Sequence, residues 1–352
     1  MRASTLLLTL CLTAACCAGP VVADRTPPGP SRSWRLAYVG AGGIWVAKGD
    51  GTGARLLIKD GEAPAWSRDH RRLAFARGGN VWLANADGHG QRQVTKWRPA
   101  RDQERPCGGR AIDIAWHPAG DRLIFSRPVR FTLRGEGDRE GVVFRGSTIY
   151  EMPLGPHPPL FMAWEGITAS PLWRSPGPDR WWNAREDTAT YRFPDNSHPA
   201  WAPDGKRLAF SRNGDLWLAT VVRERESQTG GLEGKRIAAT ARYDAATART
   251  SRENVGVAHT CWSPDGRYLV YELERQSGSG TAEIWLLDTR RWKRALIEEE
   301  GYDPCFSPDG QWIAYQQGLS DSTPELSYCL VARSLRSRRV VRLAKDGSQP
   351  AW

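Results

Sequence analysis

Short runs in which apolar and polar residues alternate recur along most of the chain, as at Leu73 and Phe75, Leu208 and Phe210, and Ile313 and Tyr315. A period of two is the mark of a strand with one face in a core. Each run follows a turn-rich segment of one kind. These segments are Pro64-Ala65-Trp66-Ser67-Arg68-Asp69, Ala115-Trp116-His117-Pro118-Ala119-Gly120, Pro199-Ala200-Trp201-Ala202-Pro203-Asp204-Gly205, Cys261-Trp262-Ser263-Pro264-Asp265-Gly266 and Cys305-Phe306-Ser307-Pro308-Asp309-Gly310. In all five, a second aromatic stands nine residues after the first: Phe75, Phe125, Phe210, Tyr271 and Tyr315. Equal spacings of this sort mark an internal repeat.

Within the repeat, Ser-Pro-Asp-Gly sets Pro where a type I turn needs φ near −65° and Gly where the chain needs positive φ, so it joins two antiparallel strands. A third strand follows at Ile44-Trp45, Val81-Trp82, Ile149-Tyr150, Leu216-Trp217 and Ile284-Trp285, and polar turns such as Asn85-Ala86-Asp87-Gly88 lead to a fourth. Four short strands repeated radially predict an all-β chain folded as a β-propeller. The ends complete the count. Lys345 to Trp352 matches Lys59 to Trp66 and stops at the Trp, while Ser31 to Tyr38 supplies the turn and second strand which that Trp lacks. The C-terminal strand is therefore expected to close the first blade, giving six blades over 34–352 and removing the unpaired edges of an open array.

Before the repeats, Arg2 precedes an apolar run from Leu6 to Ala18 and the small residues Val21-Val22-Ala23, which read as a signal peptide over 1–23, cut after Ala23. Leu12-Thr13-Ala14-Ala15-Cys16 offers a rival cleavage, with Cys16 lipidated. No later run reaches the roughly 18 apolar residues of a membrane helix, so the mature chain is expected to be free or held only by lipid. Residues 24–33, rich in Pro and Ser, read as a linker. The 352 residues carry 49 Lys and Arg against 39 Asp and Glu, a formal charge of +10 spread along the chain. That charge suits either a soluble basic surface or an anionic partner, and no nucleic-acid module accompanies it.

Three residues before each motif aromatic stand Ala63, Asp113, His198, His259, Asp303 and Gln349. They begin the innermost strands and should converge at one mouth of the central channel. Their two imidazoles, two carboxylates and amide suit a divalent metal or a polar ligand group, and equally a solvated mouth. Residues 155–197 read as an insertion in blade three whose Trp173, Trp181 and Trp182 are candidates for stacking on sugar rings or anchoring a peptide, or for covering the blade's own edge. Cys261 and Cys305 occupy one position in adjacent blades where other blades have Ala, which leaves small-residue packing and a disulfide both open. Gly40-Ala41-Gly42-Gly43 aligns with the hairpin turns of other blades and is not a dinucleotide loop. Neither a Walker loop, a Gly-x-Ser-x-Gly elbow nor a His-Glu-x-x-His pair occurs.

The Pro-x-Trp-Ser-Pro-Asp-Gly signature, over about residues 34–352, resembles the TolB-like propeller family with its PD40 or WD40-like repeats. That resemblance implies a six-bladed propeller of the bacterial periplasm, and binding of an outer-membrane lipoprotein is known within the family. The stretch before Trp34 is expected to be too short for the N-terminal α/β domain that members of that family can carry. Some relatives are oligogalacturonate lyases that hold a channel metal with His and Gln, which His198, His259 and Gln349 would match here. The expectation is therefore an exported, monomeric, non-catalytic binding or scaffold module of the cell envelope, periplasmic or lipoprotein-anchored, with a protein or anionic glycan partner. The alternative is a metal-dependent lyase of acidic polysaccharides using the channel.

Overall fold

The computed structural model describes residues 29–96, 113–133, 142–154, 162–163, 196–212, 214–223, 235–243, 255–275, 282–319 and 327–352. Among these the chain is all-β, arranged as six four-stranded antiparallel sheets. Blade 1 holds β1 (Arg35–Gly40), β2 (Gly43–Lys48) and β3 (Arg55–Lys59), and blade 2 holds β4 (Glu62–Trp66), β5 (Arg72–Arg77), β6 (Asn80–Asn85) and β7 (Arg92–Gln93). Blade 3 is β8 (Asp113–Trp116), β9 (Arg122–Leu133), β10 (Val142–Pro153) and β11 (Met162–Ala163). Blade 4 is β12 (Asn196–Trp201), β13 (Arg207–Arg212), β14 (Asp215–Arg223) and β15 (Lys235–Tyr243). Blade 5 is β16 (Val255–Trp262), β17 (Tyr268–Arg275), β18 (Ala282–Asp288) and β19 (Lys293–Glu298). Blade 6 is β20 (Gly301–Phe306), β21 (Trp312–Leu319), β22 (Ser327–Ser334) and β23 (Val340–Ala344).

The last strand, β24 (Ser348–Ala351), leaves blade 6 and pairs with β1, so that blade 1 reads β24-β1-β2-β3. Trp352 meets Trp34 edge-on at 6.1 Å. Head and tail are thus joined by strand pairing and ring packing, as the sequence predicts.

Six hydrophobic clusters account for the packing, and each lies between two neighbouring blades. Leu36, Leu330 and Leu343 join blades 6 and 1, and Ile44, Ile58, Leu73 and Phe75 join blades 1 and 2. Phe125 and Val81 join 2 and 3, Ile124 and Phe210 join 3 and 4, Leu218 and Tyr271 join 4 and 5, and Ile284 and Tyr315 join 5 and 6. The alternation read from the sequence explains this. One face of each second strand serves the preceding interface and the other the following one, so Phe75, Phe125, Phe210, Tyr271 and Tyr315 are all essentially inaccessible to solvent. At about 25 cal/mol per Å² of apolar surface removed from water, each such aromatic contributes a few kcal/mol.

The turn chemistry is also as expected. In blade 6 Ser307 O accepts from Gly310 N at 2.9 Å, and the Asp309 carboxylate accepts from Ser307 Oγ and Gln311 N at 2.6 and 3.0 Å. The last turn residue has positive φ in every blade that carries the motif, as Gly120, Gly205, Gly266 and Gly310; blade 2 has His70 there, at φ 53°. Arg72 and Arg207 clasp blade to blade, each stacking on the next blade's Trp and donating to its turn glycine carbonyl, at 2.6 Å for Gly120 and 2.9 Å for Gly266. Cys261, Cys305 and Cys329 are free thiols, which settles the two readings of the Cys261 and Cys305 position for packing. Cys261 Sγ accepts from Phe306 N of the next blade at 3.5 Å. The signal peptide, Cys16, Cys107 and Trp173, Trp181 and Trp182 lie outside the described residues.

Candidate channel-mouth site

The innermost strands carry a shared irregularity. Across Glu62 to Ala65, Ser197 to Ala200, Ala258 to Cys261, Tyr302 to Cys305 and Ser348 to Ala351, three steps on the inner strand face two on the second strand. One extra residue there is a β-bulge, a device that re-aims a side chain. The bulged residues Ala63, His198, His259, Asp303 and Gln349 have φ between 42° and 56°. In blades 1, 2, 4 and 6 the next residue is Pro350, Pro64, Pro199 or Pro304, whose missing N–H costs nothing where the ladder is already interrupted. Blade 3 keeps regular pairing, with Asp113 opposite Ser126.

These positions meet around the channel. His198 Nδ1 lies 3.1 Å from Asp113 Oδ2, and the His198 and His259 rings stand edge-on at 4.4 Å. His259 Nδ1 lies 2.7 Å from Glu272 Oε2 and 3.1 Å from Asp303 Oδ1. The carboxylates also tie blade to blade: Glu272 Oε2 accepts from Asp303 N at 2.9 Å, and Asp303 Oδ2 from Gln349 N at 3.1 Å. Gln349 Oε1 in turn accepts from Ala63 N at 2.7 Å. Ser126 Oγ donates to Asp113 at 2.8 Å, and Thr260 Oγ1 to His198 O at 2.8 Å.

Each of the five polar positions singled out in the sequence therefore touches at least one other, in an arc from blade 3 to blade 1. Glu272 was not singled out. It lies on β17 directly after the second-strand aromatic Tyr271, a position held by Ala76, Ser126, Ser211 and Gln316 in other blades. The signal that could have found it was the one charged residue in that series. Two residues on, burial and then the like charge of Glu272 raise the Glu274 carboxyl above its ordinary range. Four carboxylates around two imidazoles make this mouth acidic in a chain whose net charge is +10.

The donor atoms at the mouth fall into two groups close enough together to hold an ion. Asp113, His198 and His259 form one group, and His259, Glu272 and Asp303 a second, each with candidate ligand atoms within 4.8 Å of one another. Mixed imidazole and carboxylate donors suit a divalent first-row ion. The residues present thus fit a metal, with carboxylates flanking the imidazoles and Gln349 engaged by Ala63.

No protein-family model matches the chain, and no curated protein matches it. Among solved structures, TolB from Acinetobacter baumannii aligns with a TM-score of 0.55 and 18% identity, over 92% of this chain and 67% of that one. The fold is a TolB-like six-bladed propeller. A TolB candidate from Agrobacterium tumefaciens aligns with the TolB-like propeller at TM-score 0.48 and 16% identity, covering 90% of each chain. An oligogalacturonate lyase from Vibrio parahaemolyticus aligns at 0.46 and 10% identity, over 89% of this chain and 74% of that one. No helix among the described residues of the TolB-like propeller is long and apolar enough to cross a membrane.

Proposed function

We propose that this TolB-like propeller is an exported, monomeric binding module of the bacterial cell envelope that takes a protein partner at the acidic channel mouth and carries out no catalysis. The supporting observation is the set of left-handed bulges. A non-glycine residue in that conformation costs roughly 1–2 kcal/mol, and strain of this kind persists where its geometry is used. Here the bulged positions bring His198, His259, Asp303 and Gln349 to one place. A partner presenting a cationic or metal-binding group would find complementary charge there, whereas an anionic polymer would meet four carboxylates. Export rests on the leader over 1–23, with cleavage after Ala23 or lipidation at Cys16.

Photo-crosslinking tests the mouth. A photoreactive phenylalanine at Tyr302 should trap one envelope protein, the same probe at Leu56 on the outer strand of blade 1 should not, and His198→Ala with His259→Ala should abolish the trapped product. Equal trapping from both positions would move the contact surface elsewhere. Release of unsaturated uronides from a uronate polymer, read as new ultraviolet absorbance, would overturn the non-catalytic reading. The mass of the mature N-terminus separates the two processing routes.

A further inference from the structure

We infer that the mouth is a divalent transition-metal site in which His259, His198 and Asp113 bind the ion and Glu272 positions His259, an assignment that rests on reading the mouth as a ligand site. The tautomer carries the argument. Glu272 Oε2 and Asp303 Oδ1, at 2.7 and 3.1 Å, both face Nδ1 of His259, so the ring proton sits on Nδ1. The lone pair then belongs to Nε2, on the opposite side of the ring. A metal-binding imidazole is ordinarily held this way, its second N–H given to a carboxylate that fixes the ring and raises its basicity. Asp113 is held in the same fashion, since its Oδ2 accepts from Ser126 Oγ at 2.8 Å.

Asp113, His198 and His259 come from three consecutive blades, and the ligand atoms they offer lie within 4.8 Å of one another. Two imidazoles with one carboxylate select a borderline ion such as Zn²⁺, Co²⁺ or Fe²⁺ over Ca²⁺, which takes six to eight oxygen ligands. Three protein ligands leave a coordination position for solvent or for a carboxylate or imidazole of the partner. The site would thus supply the partner with a metal bond as well as a charged surface.

Cobalt is the probe. Purified protein freed of metal by a chelator and titrated with Co²⁺ should take up one equivalent per chain and develop visible d–d absorption, with Zn²⁺ displacing it. His198→Ala and His259→Ala should each abolish the bands. Glu272→Gln should weaken Co²⁺ binding by about 10–100-fold while keeping the one-to-one stoichiometry, as expected of a positioning residue. If wild-type protein shows no stoichiometric uptake, or if binding survives both histidine substitutions, the assignment fails; equal competition by Ca²⁺ would also sink it, because imidazole ligation would then be unnecessary. Tyr302 crosslinks that persist in a chain shown to bind no metal would leave the binding-module reading standing, so the two failures are separable.

Discussion

Replacing Trp352 with Ala tests closure of the ring directly. Trp352 is half-buried in the cluster between blades 6 and 1, and its ring meets Trp34 at 6.1 Å and 70°. A fully buried Trp removes about 200 Å² from water, so half burial corresponds to about 2.5 kcal/mol at 25 cal/mol per Å². The edge-to-face pair adds about 1 kcal/mol. The expected loss is therefore about 3.5 kcal/mol, with the β24 backbone pairing to β1 left in place. For a domain of this size each kcal/mol moves the melting temperature by about 2 °C or somewhat more, so the midpoint should fall by about 6–8 °C. Urea unfolding followed by tryptophan fluorescence and by circular dichroism gives the free energy and shows whether the transition stays cooperative. Trp352→Phe should recover most of the loss. Deleting 348–352 should do more: it bares the edge of β1 and removes the Gln349 cap on Ala63 N, so self-association is expected alongside destabilisation. A Trp352→Ala midpoint within about 0.5 kcal/mol of wild type would refute the claim that ring packing at the seam stabilises the propeller.

The remaining predictions concern turns, charge and thiols. His70→Gly should stabilise by about 0.5 kcal/mol, the relief of a left-handed backbone set against the lost ring contact with Trp66; a lower urea midpoint would show that the contact outweighs the strain. Hydrogen bonds from Arg122 hold the Asp121 carboxyl at about 2, below the usual range. Because that folded-state value is the depressed one, its stabilisation is complete above about pH 4 and lost as the pH falls towards 2. Asp121→Asn should therefore flatten the acid limb of the stability curve, by no more than about 1 kcal/mol since the carboxylate is half exposed and screened. Burial pushes the Cys261 thiol up to about 11 and Cys305 well above its ordinary value. Peptide mapping after thiol reagent at pH 8 should find both unmodified in native protein and modified once unfolded; native labelling at the rate of a free thiol would contradict their burial.

Much of this molecule is set by local pattern. Alternation with a nine-residue spacing marks the strand pairs, Ser-Pro-Asp-Gly encodes their turn, and the match between Lys345 to Trp352 and Lys59 to Trp66 shows where the last strand must go. These are properties of neighbouring residues, so they are legible without coordinates. Even the bulge leaves a trace, as Pro two places before the motif aromatic in four blades. What the repeat could not specify is which side chains touch across blades. Gln349 and Asp303 occupy equivalent positions and both accept from the backbone N–H of the next blade's bulged residue, yet Asp303 also faces His259, because the blade before it places an imidazole there. Glu272 joined the mouth only once β17 was packed beside β20, and the thiol of Cys261 became an acceptor of the next blade's backbone for the same reason. Periodicity decides a residue's face and depth within its own blade; distances between blades depend on how six sheets close into a circle, and that is a property of the whole.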